Sequence, residues 1–290
     1  MFKKFKSAWK LVKICWRVLM LDKELLIFPF LSFASLALTL VLGVYPLYLA
    51  GYLEPILMWF SDESQAASTF AMILVSYLIY VFTTFVYVFF NTALIACARI
   101  RFAGGDPTVM DGLRAAISRL PLVFVWAVVT ATVGFILQKA SEKSEGILAQ
   151  IVFGLLGAAW TIASYFVVPV LVADRVGPIK AMRASAGLIR KTWGEAIIAE
   201  LGLSAVTGVV IFPAFLLIVG GMMATETAPV IGFTLVGIAV FAIALTILIV
   251  STLDAILKAA LYVYATDGKM PDYFDGVDVK NAFREKESTN

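Results

Sequence analysis

The 290-residue sequence contains no histidine. Without an imidazole, Ser–His and Cys–His nucleophilic pairs, His-ligated zinc or haem, and histidine proton relays are excluded. Charge is also scarce: 15% of residues are charged, against about 25% in a soluble domain. Only two cysteines occur, Cys15 and Cys97, far apart and outside any CxxC pair. That excludes a disulfide framework and fits free thiols in a reducing compartment. Catalytic signatures are missing too. There is no GxxxxGK[ST] loop, no GxSxG elbow and no pair of carboxylates in a polar context. Gly104-Gly105-Asp106-Pro107 lacks the lysine and the preceding strand of a phosphate loop, so it reads as a turn. No enzyme, metal, cofactor or nucleic-acid partner is expected.

What the sequence has is hydrocarbon. Hydrophobic residues make up 61% of it, against about 45–50% in soluble domains. A membrane-crossing helix needs about 20 mostly apolar residues, because each adds about 1.5 Å across a core about 30 Å thick. Six stretches meet that length: residues 25–49, 70–97, 121–137, 147–172, 196–222 and 229–253. The third is the shortest and is expected to borrow a turn from its flanks. Backbone groups in lipid need partners within the segment, and these lengths suit helices rather than barrel strands. The expected fold is all-α, a polytopic bundle of six transmembrane helices over residues 1–265, with a tail at 266–290.

The cations set the orientation. With both termini cytoplasmic, all but two of the 23 lysines and arginines fall on the inner side, Lys139 and Lys143 being the exceptions. The outer loops are short and carry Glu54, Asp62, Glu63, Glu142, Glu145 and Glu226. The long basic start, without a small-x-small cleavage site, is not expected to be a removed signal.

Three cytoplasmic segments are expected to form amphipathic helices, each leading into a hairpin of two spans. In residues 2–20, Phe5, Trp9, Val12, Trp16 and Leu19 share one helical stripe, and Lys6, Lys10, Lys13 and Arg17 share its neighbour. Tryptophans beside cations suit a helix lying in the headgroup plane, so Phe5, Lys6, Trp9, Lys10, Lys13, Trp16 and Arg17 form the expected membrane interface. Asp106-Pro107 and Gly177-Pro178 each open a further short helix with proline in its first turn. Spacing of Gly154 with Ala158 and of Ser204 with Gly208 suits tight helix contacts or self-association. Pro29, Pro46, Pro169 and Pro213 are expected at span ends or kinks.

Intramembrane charges are costly and are functional candidates by default. The centres of the spans hold almost none. Near the inner leaflet, Asn91, Glu200, Asp254 and Lys258 are expected to form a candidate polar site. The favoured role is a non-enzymatic scaffold whose basic cytoplasmic face organises anionic lipid or holds a membrane-protein partner or a second copy. A small transporter or channel with that polar site at its inner mouth is the alternative.

Two stretches carry a family resemblance. One is Tyr165-Phe166-Val167-Val168-Pro169-Val170-Leu171-Val172, followed by Asp174, Gly177-Pro178, Ala181, Ser185, Leu188 and Trp193-Gly194. The other is Ala260-Leu261-Tyr262-Val263-Tyr264-Ala265-Thr266-Asp267-Gly268, followed by Pro271, Phe274-Asp275 and Ala282-Phe283. Together they resemble an uncharacterised family of six-helix prokaryotic membrane proteins, itself broadly similar to the membrane domain of some glycerophosphodiester phosphodiesterases. The resemblance implies the fold and a prokaryotic inner membrane. It implies no activity, because the phosphodiesterase's soluble catalytic barrel has no counterpart here.

Overall fold

The structure, a computed structural model, describes residues 2–61, 66–144 and 146–274. Those residues are helical, with no strand among them. In chain order the helices are α1 (Phe2–Leu21), α2 (Ile27–Leu49), α3 (Leu53–Ser61), α4 (Ala66–Phe102), α5 (Val109–Ile117), α6 (Leu120–Glu142), α7 (Ile147–Ser164), α8 (Val167–Asp174), α9 (Pro178–Ala224) and α10 (Pro229–Asp267). Short 3-10 turns occupy Lys23–Leu26 and Asp272–Phe274. Six helical stretches are long and apolar enough to cross a membrane: Lys23–Leu49, Thr69–Phe102, Leu120–Glu142, Ile147–Asp174, Gly202–Ala224 and Pro229–Asp267. The chain is a multi-pass, all-α membrane protein.

The helices differ from the sequence expectation where backbone chemistry intervenes. The third span gains its extra turn at the C-terminal end, where Lys139 and Gln138 both reach Glu142. The fourth is broken at Tyr165–Phe166 rather than continuous over 147–172. Proline has no N–H, so Pro169 cannot bond the Tyr165 carbonyl four residues back. At the break the Phe166 N–H donates to the Ser185 hydroxyl at 2.9 Å. The segment opened by Gly177-Pro178 and the fifth span form one helix, α9, interrupted at Thr192 (φ −120°, ψ 21°). The sixth helix runs on to Asp267, well past the expected end at 253. A short helix, α3, lies between the first two spans, where none was foreseen.

The chain forms two compact units. One comprises Met1–Ile27, Cys97–Val109 and Gly187–Asn290; the other comprises Phe28–Ala96 and Met110–Ala186. In the second unit, α6 packs on α7. Tyr77 meets Phe135 edge-on at 5.5 Å, and its hydroxyl lies 2.8 Å from the Thr132 hydroxyl. Phe85 meets Phe124, and Trp126 stacks on Trp160 at 5.9 Å. The aromatic run of α4 is thus partly core, while Tyr80, Phe82 and Tyr87 stay exposed. Arg119 closes the end of α8 by donating to the Val172 carbonyl at 2.7 Å, a cation satisfying a helix C-terminus.

In the first unit α1 packs on α10 and on both 3-10 turns. The exposure of α10 changes along its length. Residues 229–251 present mostly exposed apolar side chains, among them Ile231, Phe233 and Phe241. From Thr252 to Tyr262 nearly every side chain is buried, apart from the half-buried Asp254 and Lys258. Close helix contact comes at the α9–α10 hairpin, where a Cβ on Gly232 would lie 2.7 Å from the Gly221 carbonyl oxygen. The small residues singled out from spacing do not serve this purpose. A Cβ on Gly154 or Gly208 would have nothing within 4 Å, and Ala158 and Ser204 are exposed.

Candidate functional site

The first unit gathers a helical cap from α1, the end of α4, the end of α10 and the two 3-10 turns. Its seat is an inner stripe on α1. Leu11, Cys15, Val18 and Leu19 are buried there, joined by Val12. The stripe expected from the sequence is therefore divided. Val12 and Leu19 turn inward, while Trp9 (46% exposed) and Trp16 (43%) remain outside. Successive helical residues advance by about 100°, so Leu11, Cys15 and Val18 lie opposite Trp9, Lys13, Trp16 and Met20. Lys13 and Arg17 are exposed, and the Lys13 ammonium lies 6.0 Å from the centre of the Trp9 ring. Phe5, Lys6 and Lys10 lie on the same helix, but their side chains fall outside the described residues.

A buried ion pair locks the cap, and sequence reasoning missed it. Asp22, directly after α1, is 7% exposed and accepts hydrogen bonds from Nε and Nη2 of Arg101, at the end of α4. Nη2 of Arg101 also reaches Asp106, and Tyr273 adds a side-chain hydrogen bond to the same guanidinium. Gly104 makes this possible. Its φ of +84° turns the chain back at the end of α4, and the Gly105 amide bonds the Ile100 carbonyl at 3.0 Å. The Gly-Gly-Asp-Pro segment is thus a helix-ending turn that carries Asp106 to Arg101. Beside it, Phe274 is fully buried and meets Phe102 edge-on at 5.9 Å, so the start of the tail docks on the end of α4. Phe283 lies outside the described residues. Arg99 rests over the Tyr262 ring at 5.8 Å, tying α4 to α10.

Of the four polar candidates, three meet in this unit. Lys258 Nζ donates to Asp254 Oδ2 at 2.6 Å, one helical turn apart on α10. Glu200, exposed on α9, lies within electrostatic reach of both. The second carboxylate oxygen of Asp254 is buried and has no hydrogen-bond partner among the described residues. Asn91 belongs to the second unit, where its amide donates to the Tyr87 hydroxyl at 3.2 Å. Cys15 and Cys97 are both buried thiols. Burial, reinforced by the charge of Asp254, pushes the Cys15 thiol far above its ordinary range, so it is neither a nucleophile nor a ready target for thiol reagents. Among the described residues no cluster of His, Cys, Asp and Glu is arranged to hold a metal.

The arrangement offers a braced basic surface and a small charged cluster, with no assembled catalytic constellation among the described residues. No curated protein matches the chain, and the likeness to the membrane domain of glycerophosphodiester phosphodiesterases finds no support in the comparisons. The model of an uncharacterised family does match, over residues 70–272, from the second span into the start of the tail. With more than two thirds of its length covered, the chain belongs to a family of unknown function, DUF6159.

Proposed function

We propose that this protein is a non-enzymatic scaffold of a prokaryotic inner membrane. Both termini lie in the cytoplasm, and the basic inner face holds lipid or a membrane-protein partner. The observation that carries the reading is the two-sided α1. Its inner stripe and the Asp22–Arg101 pair fasten it to the cap, leaving Trp9, Lys13, Trp16 and Arg17 outward and unspent by the fold. The exposed run of α10, residues 229–251, measures about 34 Å as a helix, close to the thickness of the hydrocarbon. In this reading Asp254 and Lys258 fall at its inner edge, with the buried stretch of α10 beyond it. The concentration of cations on that side supports the orientation.

The test is capture of the protein from its native membrane in lipid nanodiscs, with co-purified proteins and lipids identified by mass spectrometry. A variant with Lys6, Lys10, Lys13 and Arg17 changed to Gln is run in parallel. A stoichiometric protein or an enriched anionic lipid, lost in the variant, is the expected result. Nothing beyond bulk lipid in either sample overturns the scaffold reading.

A small transporter or channel is the second reading, favoured by the Glu200, Asp254 and Lys258 group and the unpaired buried oxygen of Asp254. It predicts a conductance across planar bilayers that Glu200→Gln abolishes while leaving the capture result unchanged.

A further inference from the structure

We infer that the outward stripe Trp9–Lys13–Trp16–Met20, flanked by Arg17, is a seat for the anionic phospholipid headgroups of the leaflet beside it. This rests on the scaffold reading for its setting but makes a narrower claim about one helix face. Four observations carry it. Among the described residues the face is unpartnered, with both indoles and Met20 exposed while the opposite stripe is buried. It is cationic without relief, because α1 contains no acidic residue and the first one in the chain, Asp22, turns inward to Arg101. Its aromatic and cationic groups are paired in space, as Lys13 over Trp9 shows. An indole prefers the boundary where one edge is apolar and its N–H is wet, and an ammonium beside it can meet a phosphate without leaving that boundary. Finally, α1 passes through one 3-10 turn into α2, whose Ile27, Phe30 and Phe33 are exposed apolar side chains of a membrane-crossing stretch. The chain therefore passes from this face directly into a membrane-crossing stretch.

The register differs from the one the sequence suggests, and the difference is what fixes the ligand. Val12 and Leu19 are withdrawn into the cap, so the surface is not a broad apolar face that plunges among acyl chains. Among the described side chains it presents two indoles, one thioether and two cations, suited to lie at headgroup depth.

The experiment places a fluorophore on Met20→Cys in the full-length protein, with Cys15 and Cys97 protected by burial. The protein is reconstituted into vesicles of phosphatidylcholine alone or with phosphatidylglycerol, each containing a trace of headgroup-labelled nitroxide lipid. Retained phosphatidylglycerol per protein is measured by native mass spectrometry for wild type, Lys13→Gln/Arg17→Gln and the control Lys139→Gln/Lys143→Gln. Quenching of the Met20 label by the headgroup nitroxide is expected in both vesicles and to be stronger with phosphatidylglycerol. Retained phosphatidylglycerol is expected to fall by up to about fivefold per inner cation removed, with the control unchanged. An unquenched, water-exposed label, or equal phosphatidylglycerol in all three proteins, overturns the assignment. A label protected only when a captured protein is added reassigns the face to a protein dock and also ends it. Loss of the lipid seat with a protein partner still captured leaves the scaffold reading standing, so the two fail separately.

Discussion

Replacing Arg101 by Ala is expected to destabilise the protein by about 3–5 kcal/mol, the usual cost of stranding one member of a buried ion pair. Asp22 is almost wholly enclosed, and two of its hydrogen bonds come from one guanidinium. Without Arg101 its charge stays buried without compensation, and Asp106 and Tyr273 lose the group that draws them together. Arg101→Lys is expected to recover little, because a single ammonium cannot reproduce the two-pronged contact of a guanidinium with a carboxylate. The double replacement Asp22→Leu/Arg101→Met is expected to recover most of the loss, since it removes both desolvated charges together. Reversible unfolding in mixed detergent and SDS micelles, read by circular dichroism, measures all three. Equal stability of Arg101→Ala and wild type would mean that the cap does not depend on this pair.

The second large effect is expected at Gly232. A Cβ there would lie 2.6 Å from both the methyl and the backbone nitrogen of Thr225, and 2.7 Å from the Gly221 carbonyl oxygen. Two of those three are backbone atoms, which cannot swing aside as a flexible side chain can. Gly232→Leu therefore forces α9 and α10 apart at the turn that joins them, at a cost of about 3 kcal/mol, the upper range for overpacking. Gly237, on the same helix, has nothing within 4 Å of the corresponding position. Gly237→Leu is expected to change stability by less than about 1 kcal/mol, as a substitution facing open space. The same unfolding assay ranks them, and similar losses at both positions would contradict the close approach of the hairpin.

Much of this architecture is legible in the residues because the bilayer is a demanding solvent. Long apolar runs have one stable backbone solution there, so six spans follow from their lengths. The boundaries moved where one local group decided the matter. Pro169 splits the fourth stretch and Thr192 bends the fifth, and only the partner supplied by Ser185 shows how the first break is satisfied. The site was harder to read. A helical wheel places Trp9, Val12, Trp16 and Leu19 on one stripe, but a wheel does not say which part of a broad apolar face meets another helix. Packing of α1 within the cap buried Val12 and Leu19. The Asp22–Arg101 pair spans 79 positions, and each residue alone looks like an ordinary flank charge. The one hint was that Asp22 ends a run of residues with no other acid. Gly154 and Gly208 show the converse error. Small residues at four-residue intervals permit close packing, but a neighbour must be present to use it.

The side of the membrane that the basic face occupies decides the scaffold role most directly. The two native thiols are buried, so single introduced cysteines report cleanly. Ser118 lies exposed between α5 and α6, and Thr227 lies exposed in the α9–α10 turn. In intact cells with a permeabilised outer envelope, a membrane-impermeant maleimide is expected to label Thr227→Cys. Ser118→Cys is expected to react only after the inner membrane is opened, and wild type not at all. Immediate labelling of Ser118→Cys with protection of Thr227→Cys would place the cations outside and contradict the account.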